Sequence, residues 1–558
     1  MIDFSILIGG KAGFGIDKSG SIIGRLLNQL GYRVFIYRDY PSIIRGGHTF
    51  SIIRAHESKI AAYQDKVDFV IALNQETLDL HKSRLKKECF YIFDSDQLKL
   101  DAGQACGIGA PLGKILKEEN APEIMRNSCI IGALAKAIGI DFGILENVLK
   151  KEFSKEVELN IKVARRGFDE AKELIKIESL KQEILPLVSG NEAVALGLIK
   201  GGLSAFIAYP MTPTSPVLHY LAEVADNFLL DVIHPESEIS VILMALGFSY
   251  IGRKVAVGTS GGGFCLMTEG LSFAAMAELP VVIILGQRPG PSTGLPTYSA
   301  QTELSFALSA GQGEFTRFIA APGDAEEAYY WSAVSMNVSW KYQIPSIILT
   351  DKNLGESVSN FDINSVDEIK EEKPILWDGK SPYKRYAFTE NGVSPLAFVP
   401  AKDAIVKINS YEHDESGITT EDPELSRLMQ EKRLRKKEFL IEDLEALGLV
   451  KVYGNKDAQV SLVCWGSNKG VCIEVAQKMG LRLIQPLVIE PFPIKQFNAA
   501  LSGVNKIILV ECNATAQLAG LLKGYGINAD SLILKYDGRP FSLEELEKKI
   551  SEVLIWVR

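Results

Sequence analysis

The sequence predicts an α/β protein built from three parallel-sheet α/β domains. Strand and helix patterns alternate in three separate stretches, the signature of parallel α/β units. The chain has 558 residues, too many for one hydrophobic core and enough for about three or four domains. A segment rich in Asp, Glu, Lys, Pro and Ser separates the second stretch from the third. The expected organisation is therefore 1–187, 188–355 and 456–558 for the domains, with 356–455 as a connection.

In the first stretch the strand FSILIGG runs into a glycine turn and then a helix. Ile22, Ile23, Leu26, Leu27 and Leu30 share one face of that helix, and Gly31 ends it. The strands YRVFIY, VDFVIAL and CFYIFD follow, and the run from Ser128 to about Ile177 is helical in pattern. The second stretch opens with the helix NEAVALGLIKGG and the strand SAFIAYP. The helix PVLHYLAEVADNF, the strand LLDVI, a helix from about Ser237 to Tyr250, and the strands KVAVG, VVIILG and SIILT complete it. The third stretch holds the strands QVSLVCW and KIILVE with helices between. In the connection, the charged run QEKRLRKKEF reads as the solvated face of a helix.

Hydrophobic residues make up 47% and charged residues 23%, with a net charge of −9. This is ordinary globular composition, and its mild acidity argues against nucleic-acid or anionic-membrane partners. No apolar run approaches the roughly 20 residues that span a bilayer. The N-terminus MIDFSILIGG carries an acid where a signal peptide needs positive charge. A cytoplasmic protein is expected. The seven cysteines are scattered with no CxxC, so reduced thiols are expected and an iron–sulfur cluster held by this chain alone is not. The six histidines are equally scattered, and no metal ligands are assigned.

Several segments carry candidate chemistry. The turn GGKAGFG sets Gly9, Gly10, Gly13 and Gly15 between strand and helix, where backbone N–H groups can face an anion. Its spacing is not GxGxxG, and a tight turn explains it as well. Arg45 in the loop RGGH suits either a phosphate contact or a salt-bridged turn. In the second domain, Tyr209 and Pro210 end a strand and Met211, Thr212 and Pro213 follow. Ligands of open α/β sheets sit beyond such carboxyl ends. Pro216 suits the first turn of the next helix with Ser215 as a cap. Glu236 and Glu238 precede a nearly all-apolar helix; a carboxylate there serves as a dipole partner or as a raised-pKa acid. Arg288 leaves the buried strand VVIILG into the loop GQRPGPSTGLPT.

Taken together, YPMTPTSP, ESEISVILMALG and the segment from TSGGGFCLMTEG to GQRPGPSTGLPT resemble the pyrimidine-binding domain of the 2-oxoacid:ferredoxin oxidoreductases. The glycine turn and RGGH resemble that family's gamma domain. SYEHDESGITTEDPE with KRLRKK resembles the connection of subunits that fuse gamma and alpha parts, and the last domain resembles the transketolase C-terminal-like domain. The first turn departs from the family's GGQG form, and Met211 stands where the YPITP-type motif has Ile.

The resemblance implies an alpha subunit with a fused gamma domain. It implies a thiamine diphosphate site shared with a beta subunit, coenzyme A as co-substrate and ferredoxin as electron acceptor. Glu238 would bond to the cofactor's pyrimidine ring, with Tyr209 and Pro210 beside it. Arg288, Thr212 and Thr297 would donate to the 2-oxoacid. Gly13, Gly15 and Arg45 would contact coenzyme A or another anion. The family's diphosphate motif begins GDG, and this sequence has none. Magnesium, the diphosphate and a [4Fe–4S] cluster are therefore expected on the beta subunit, in a heterodimer or a dimer of heterodimers. The fused layout favours 2-oxoglutarate, with Arg253 and Arg317 among the possible sources of a second cation. Broad-specificity, pyruvate, branched-chain and indolepyruvate-type relatives are the alternatives within the family. A non-catalytic regulatory or electron-transfer subunit is the alternative of another class, and a flavin or nicotinamide dehydrogenase would rest on GGKAGFG alone.

Overall fold

A computed structural model describes residues 3–43, 46–100 and 107–555. The chain separates into two units. The first holds Met1–Val188, Glu356–Asp362 and Ser542–Ser551; the second holds Ser189–Gly355, Ile363–Phe541 and Glu552–Arg558.

The first unit is built on an eight-stranded sheet. Its order is Gly107–Ala110, Leu85–Asp94, Val67–Ala72, Asp3–Lys11, His48–His56, Arg33–Asp39, Val358–Asn360 and Leu187–Ser189. The first four strands pair in parallel. Strand His48–His56 runs antiparallel to both neighbours, so this sheet is mixed. That strand begins within the RGGH segment, which reads as a loop in sequence. Helix Ile16–Gln29 packs its predicted face on the sheet, with Ile22, Ile23, Leu26 and Leu27 buried. Helices Arg126–Ala137, Phe142–Glu152 and Val157–Glu170 account for the long helical region.

The second unit holds two sheets. The seven-stranded one runs Val488–Glu490, Phe318–Ala320, Pro345–Asp351, Val281–Gln287, Val255–Ser260, Ala205–Ile207 and Asp231–Ile233. All its pairings are parallel except the edge strand Val488–Glu490. Its central strands are buried throughout, as a sheet covered on both faces requires. The five-stranded sheet runs Val450–Gly454, Arg482–Pro486, Val460–Val463, Lys506–Glu511 and Ser531–Leu534. One apolar core joins the two, with Ile283 and Leu285 of one sheet clustering with Val463, Ile484 and Leu509 of the other.

The connection is more integrated than its composition suggests. Helix Pro423–Glu445 carries the charged run, yet Lys432 and Lys436 are 0% and 1% exposed. Their ammonium groups lie 2.7 and 2.5 Å from the Glu278 carboxylate. Burial works against charge on Glu278, but Lys432, Lys436 and Arg385 outweigh it and hold the carboxyl below the usual range. The solvated face expected there is thus corrected: two of these lysines serve an ion cluster inside the second unit. A buried anion fixes cations because a lone charge in the interior is costly.

Candidate functional site

Three parallel strands, Ala205–Ile207, Val255–Ser260 and Val281–Gln287, end at one edge of the seven-stranded sheet. The segments leaving their carboxyl ends carry the residues singled out in sequence. After the first strand come Tyr209, Pro210, Met211 and Thr212. Tyr209 is exposed and meets His234 edge-on at 5.9 Å. Asn191 Nδ2 donates to the Pro213 carbonyl at 2.9 Å and fixes the turn. The next helix is Ser215–Phe228, with Pro216 in its first turn. Ser215 is its first residue rather than its cap; Thr214 holds the cap position, and its hydroxyl donates back to the Met211 carbonyl at 3.0 Å instead of accepting from the helix.

Helix Glu238–Tyr250 starts after Ser237, whose hydroxyl accepts the Ser240 N–H as a cap. Its neighbours divide the two glutamates. Glu236 accepts a hydrogen bond from the Ser240 hydroxyl, which holds its carboxyl below the usual range. Glu238 is 4% exposed, and its Oε1 has no hydrogen-bond partner. A buried, unpaired carboxylate oxygen is costly and calls for a donor from outside the chain.

Helix Gly261–Met276 begins directly after strand Val255–Ser260, and its first turn is Gly261, Gly262 and Gly263. A Cβ on Gly263 would lie 2.1 Å from Thr259 Oγ1 and 2.6 Å from Glu238 Oε1. Glycine at that position is what lets Glu238 reach the edge. Ser260 Oγ donates to Met211 Sδ at 2.8 Å. Arg288, half-buried after the third strand, donates from Nη1 to the Thr212 carbonyl at 3.0 Å. Burial lowers the guanidinium pKa, and Glu303 acts in the opposite direction. Thr297 is buried in the loop that follows. The contacts therefore run from Arg288 through Thr212, Met211 and Ser260 to the first turn that Glu238 touches.

Other candidates lie elsewhere. Arg253 pairs with Asp231 at 2.7 Å, and Arg317 donates to the Ala307 carbonyl while stacking on Phe315. Both precede strands at the amino-terminal edge of the sheet, away from the carboxyl ends that carry the other candidates. In the first unit, Gly15 caps helix Ile16–Gln29 with φ 69°, and the Asn127 amide fills the space its Cβ would need. Gly13, with φ 92°, has open space at that point. Arg45 lies outside the described residues.

Sequence reasoning missed Glu303, Thr259, Ser260 and Gly263. Three consecutive glycines at the end of a buried strand are the signal that a close approach was needed there. Glu303 lies against Gly261, where a Cβ would be 2.6 Å from its Oε1. Among the described residues, no group of three or more His, Cys, Asp or Glu side chains forms a metal site. No helix among them is long and apolar enough to cross a membrane.

Comparison with known proteins gives the family and the fold. Residues 196–432 match the family described as pyruvate flavodoxin/ferredoxin oxidoreductase, thiamine diphosphate-binding. Residues 5–170 match the family described as pyruvate ferredoxin/flavodoxin oxidoreductase. The 2-oxoacid:ferredoxin oxidoreductase subunit alpha of a Sulfolobus species is 31% identical, over 99% of this chain and 97% of that protein. The 2-oxoglutarate oxidoreductase subunit KorA of Mycobacterium tuberculosis is 25% identical, over 98% and 91%. A 2-oxoglutarate:ferredoxin oxidoreductase from Magnetococcus marinus, solved with 2-oxoglutarate, coenzyme A and succinyl-CoA bound, superposes with a TM-score of 0.89. It is 28% identical and covers 99% of both chains.

Proposed function

This chain belongs to the 2-oxoacid:ferredoxin oxidoreductases as an alpha subunit, and from that premise we propose that it builds the pyrimidine and substrate side of a site that decarboxylates 2-oxoglutarate. One observation carries the reading: the buried Glu238 Oε1 that lacks a partner at the carboxyl edge of the sheet. That oxygen fits a hydrogen bond to the ring nitrogen of thiamine diphosphate. When bound, the cofactor supplies an electron sink for loss of carbon dioxide. Glu238 holds the pyrimidine, with Pro210 and Tyr209 on the same edge. Arg288, Thr212 and Thr297 orient the 2-oxoacid through its carboxylate and keto oxygen, a task suited to a guanidinium fork and hydroxyls.

A beta subunit completes the site. Magnesium and the diphosphate are assigned to that partner because this sequence has no GDG motif, and a [4Fe–4S] cluster because its cysteines form no CxxC. Ile239 and Leu243, one turn apart on the helix that begins with Glu238, are each 50% exposed, and Leu266 of the next helix is 49% exposed. Apolar side chains bared beside a buried carboxylate fit a face that the partner covers. The second cation for the distal carboxylate of 2-oxoglutarate is assigned to the same partner, since Arg253 and Arg317 are bound at the opposite edge. Coenzyme A is the acyl acceptor, with the open side of Gly13 as its contact on the first unit, and ferredoxin takes the electrons. We place the complex in the cytoplasm, in keeping with the free thiols of the six described cysteines.

The test is co-purification with the beta subunit, followed by kcat/KM for 2-oxoglutarate, pyruvate and a branched 2-oxoacid with ferredoxin or a viologen dye. The reading expects 2-oxoglutarate to be used at least as well as the others. A preference of roughly tenfold or more for pyruvate, about 1.4 kcal/mol in transition-state binding, removes 2-oxoglutarate as the favoured substrate.

A further inference from the structure

Two carboxyl groups meet the first turn of helix Gly261–Met276: Glu238 at Gly263, and Glu303 at Gly261. The cofactor contact proposed above uses Glu238 alone, yet the setting of Glu303 is equally built. Its backbone N–H donates to Gln287 Oε1 at 3.1 Å, and Gln287 Nε2 donates to the Thr350 carbonyl at 3.1 Å. Thr302 Oγ1 lies 2.9 Å from Glu303 Oε1 and 3.3 Å from the Arg288 carbonyl. Backbone and side chain of Glu303 are thereby tied to the strand and loop that carry Arg288. Its other oxygen, Oε2, is out of solvent contact and has no hydrogen-bond partner.

We propose that Glu303 is a positioning residue for the anionic substrate: while neutral it leaves the Arg288 guanidinium to the 2-oxoacid carboxylate, and once ionised it competes for that guanidinium. This rests on the reading of Arg288 given above. A carboxylate without a second donor gains most from the nearest cation, and a guanidinium already donating to Thr212 has further N–H groups to share. Burial lifts the Glu303 carboxyl to about 7, against the Thr302 bonds and the Arg288 charge. Both forms are then populated near neutral pH. Among the described residues, Arg288 is the charged group that acts on it. The groups that touch it or its Thr302 partner are uncharged: Gly261 on the helix, Gln287 on the strand, Thr302 beside it, and Gln517, whose Nε2 donates to the Thr302 carbonyl; the further carboxyl at this turn is Glu238, at Gly263.

The experiment is the pH profile of KM for 2-oxoglutarate in the complex with its beta subunit, for the wild type and for Glu303→Gln. In the wild type KM should rise by about fivefold or more between pH 6 and pH 8.5, the low end of a typical coupling between two binding events. In Glu303→Gln the same profile should be flat to within about twofold, because the amide cannot ionise. An infrared difference spectrum across the same range should lose one protonated-carboxyl band in the variant, which reports on Glu303 without turnover. A Glu303→Gln profile that keeps the wild-type slope overturns the proposal while leaving the site intact. If Glu303→Gln does not assemble, Glu303→Asp must shift the midpoint of the profile, and an unmoved midpoint overturns it equally. A wild-type complex with no 2-oxoacid-dependent reduction at any pH overturns instead the functional reading on which the proposal rests.

Discussion

Arg288 donates from Nη1 to the backbone carbonyl of Thr212 at 3.0 Å, joining two segments 76 residues apart in sequence. The bond spends one of the five guanidinium N–H groups on the turn that carries a proposed substrate hydroxyl. Arg288 therefore shapes the loop in addition to the substrate contact proposed for it, and its removal should act on both.

Arg288→Ala should lower kcat/KM for 2-oxoacids, at a cost of about 2–5 kcal/mol for a lost charged bond to a charged ligand. Affinity for thiamine diphosphate should stay near the wild-type value. Arg288→Lys should recover only part of the loss, because an ammonium cannot hold a carboxylate with two parallel bonds. Steady-state kinetics of the three complexes, with cofactor titrations alongside, make the comparison. Unchanged kcat/KM for every 2-oxoacid in Arg288→Ala removes this residue from the site.

Gly263→Ala should weaken cofactor binding more than it weakens the fold. The added methyl would fall 2.1 Å from Thr259 Oγ1 and 2.6 Å from Glu238 Oε1, so the carboxylate must swing away from the edge. Gly262→Ala is the control, since a Cβ there meets nothing within 4 Å. Calorimetric titration of thiamine diphosphate into the two variant complexes should show a loss of affinity for the first only.

The stability of the protein should carry the titration of Glu303. Its carboxyl is raised from the ordinary 4.5 to about 7 in the fold, so the folded state holds a proton that the unfolded state releases. The contribution is fully present below about 4.5 and is lost as pH rises through about 7, by up to about 3 kcal/mol. Glu303→Gln lacks this loss. The Tm of the variant relative to the wild type should therefore rise between pH 5 and pH 8.5, and a constant difference would show that Glu303 titrates alike in both states.

Glu278→Gln should be strongly destabilising. It leaves Lys432 and Lys436 buried without the anion at 2.7 and 2.5 Å, a change on the order of 3–5 kcal/mol. Denaturant unfolding of the wild type and the variant measures it. A loss below about 1 kcal/mol would mean that solvent reaches these lysines.

The parts of the site that sequence reveals are those where a local pattern states a local need. YPMTPTSP marks a turn at a strand end, and ESEI marks a carboxylate at a helix start. QRPGP places an Arg on a loop leaving a buried strand. Their convergence on one sheet edge follows from parallel topology, which alternation predicts. What stayed hidden depends on partners far along the chain. Glu303 reads as an ordinary polar residue before a short helix, and its setting is revealed by Gly261 and Gln287, which precede it by 42 and 16 residues. Lys432 and Lys436 read as surface charge because Glu278 lies 154 residues before the first of them. Strand His48–His56 is hidden by its antiparallel pairing with both neighbours, where alternation of strands and helices predicts parallel ones. Glu356–Asp362 and Ser542–Ser551 join the first unit across long stretches of sequence, which no segment-by-segment reading of the chain reveals.

The central claim is that Glu238, and not its neighbour Glu236, serves the cofactor. Glu238 is buried with a free oxygen, whereas Glu236 is bonded to Ser240 at the surface. The most direct measurement is the turnover of reconstituted complexes carrying Glu238→Gln or Glu236→Gln, with 2-oxoglutarate and coenzyme A as substrates. Turnover should fall by about 100-fold or more in the first, the scale of one lost acid–base group, and change by about twofold or less in the second. A damaging Glu236→Gln beside a harmless Glu238→Gln would contradict the account.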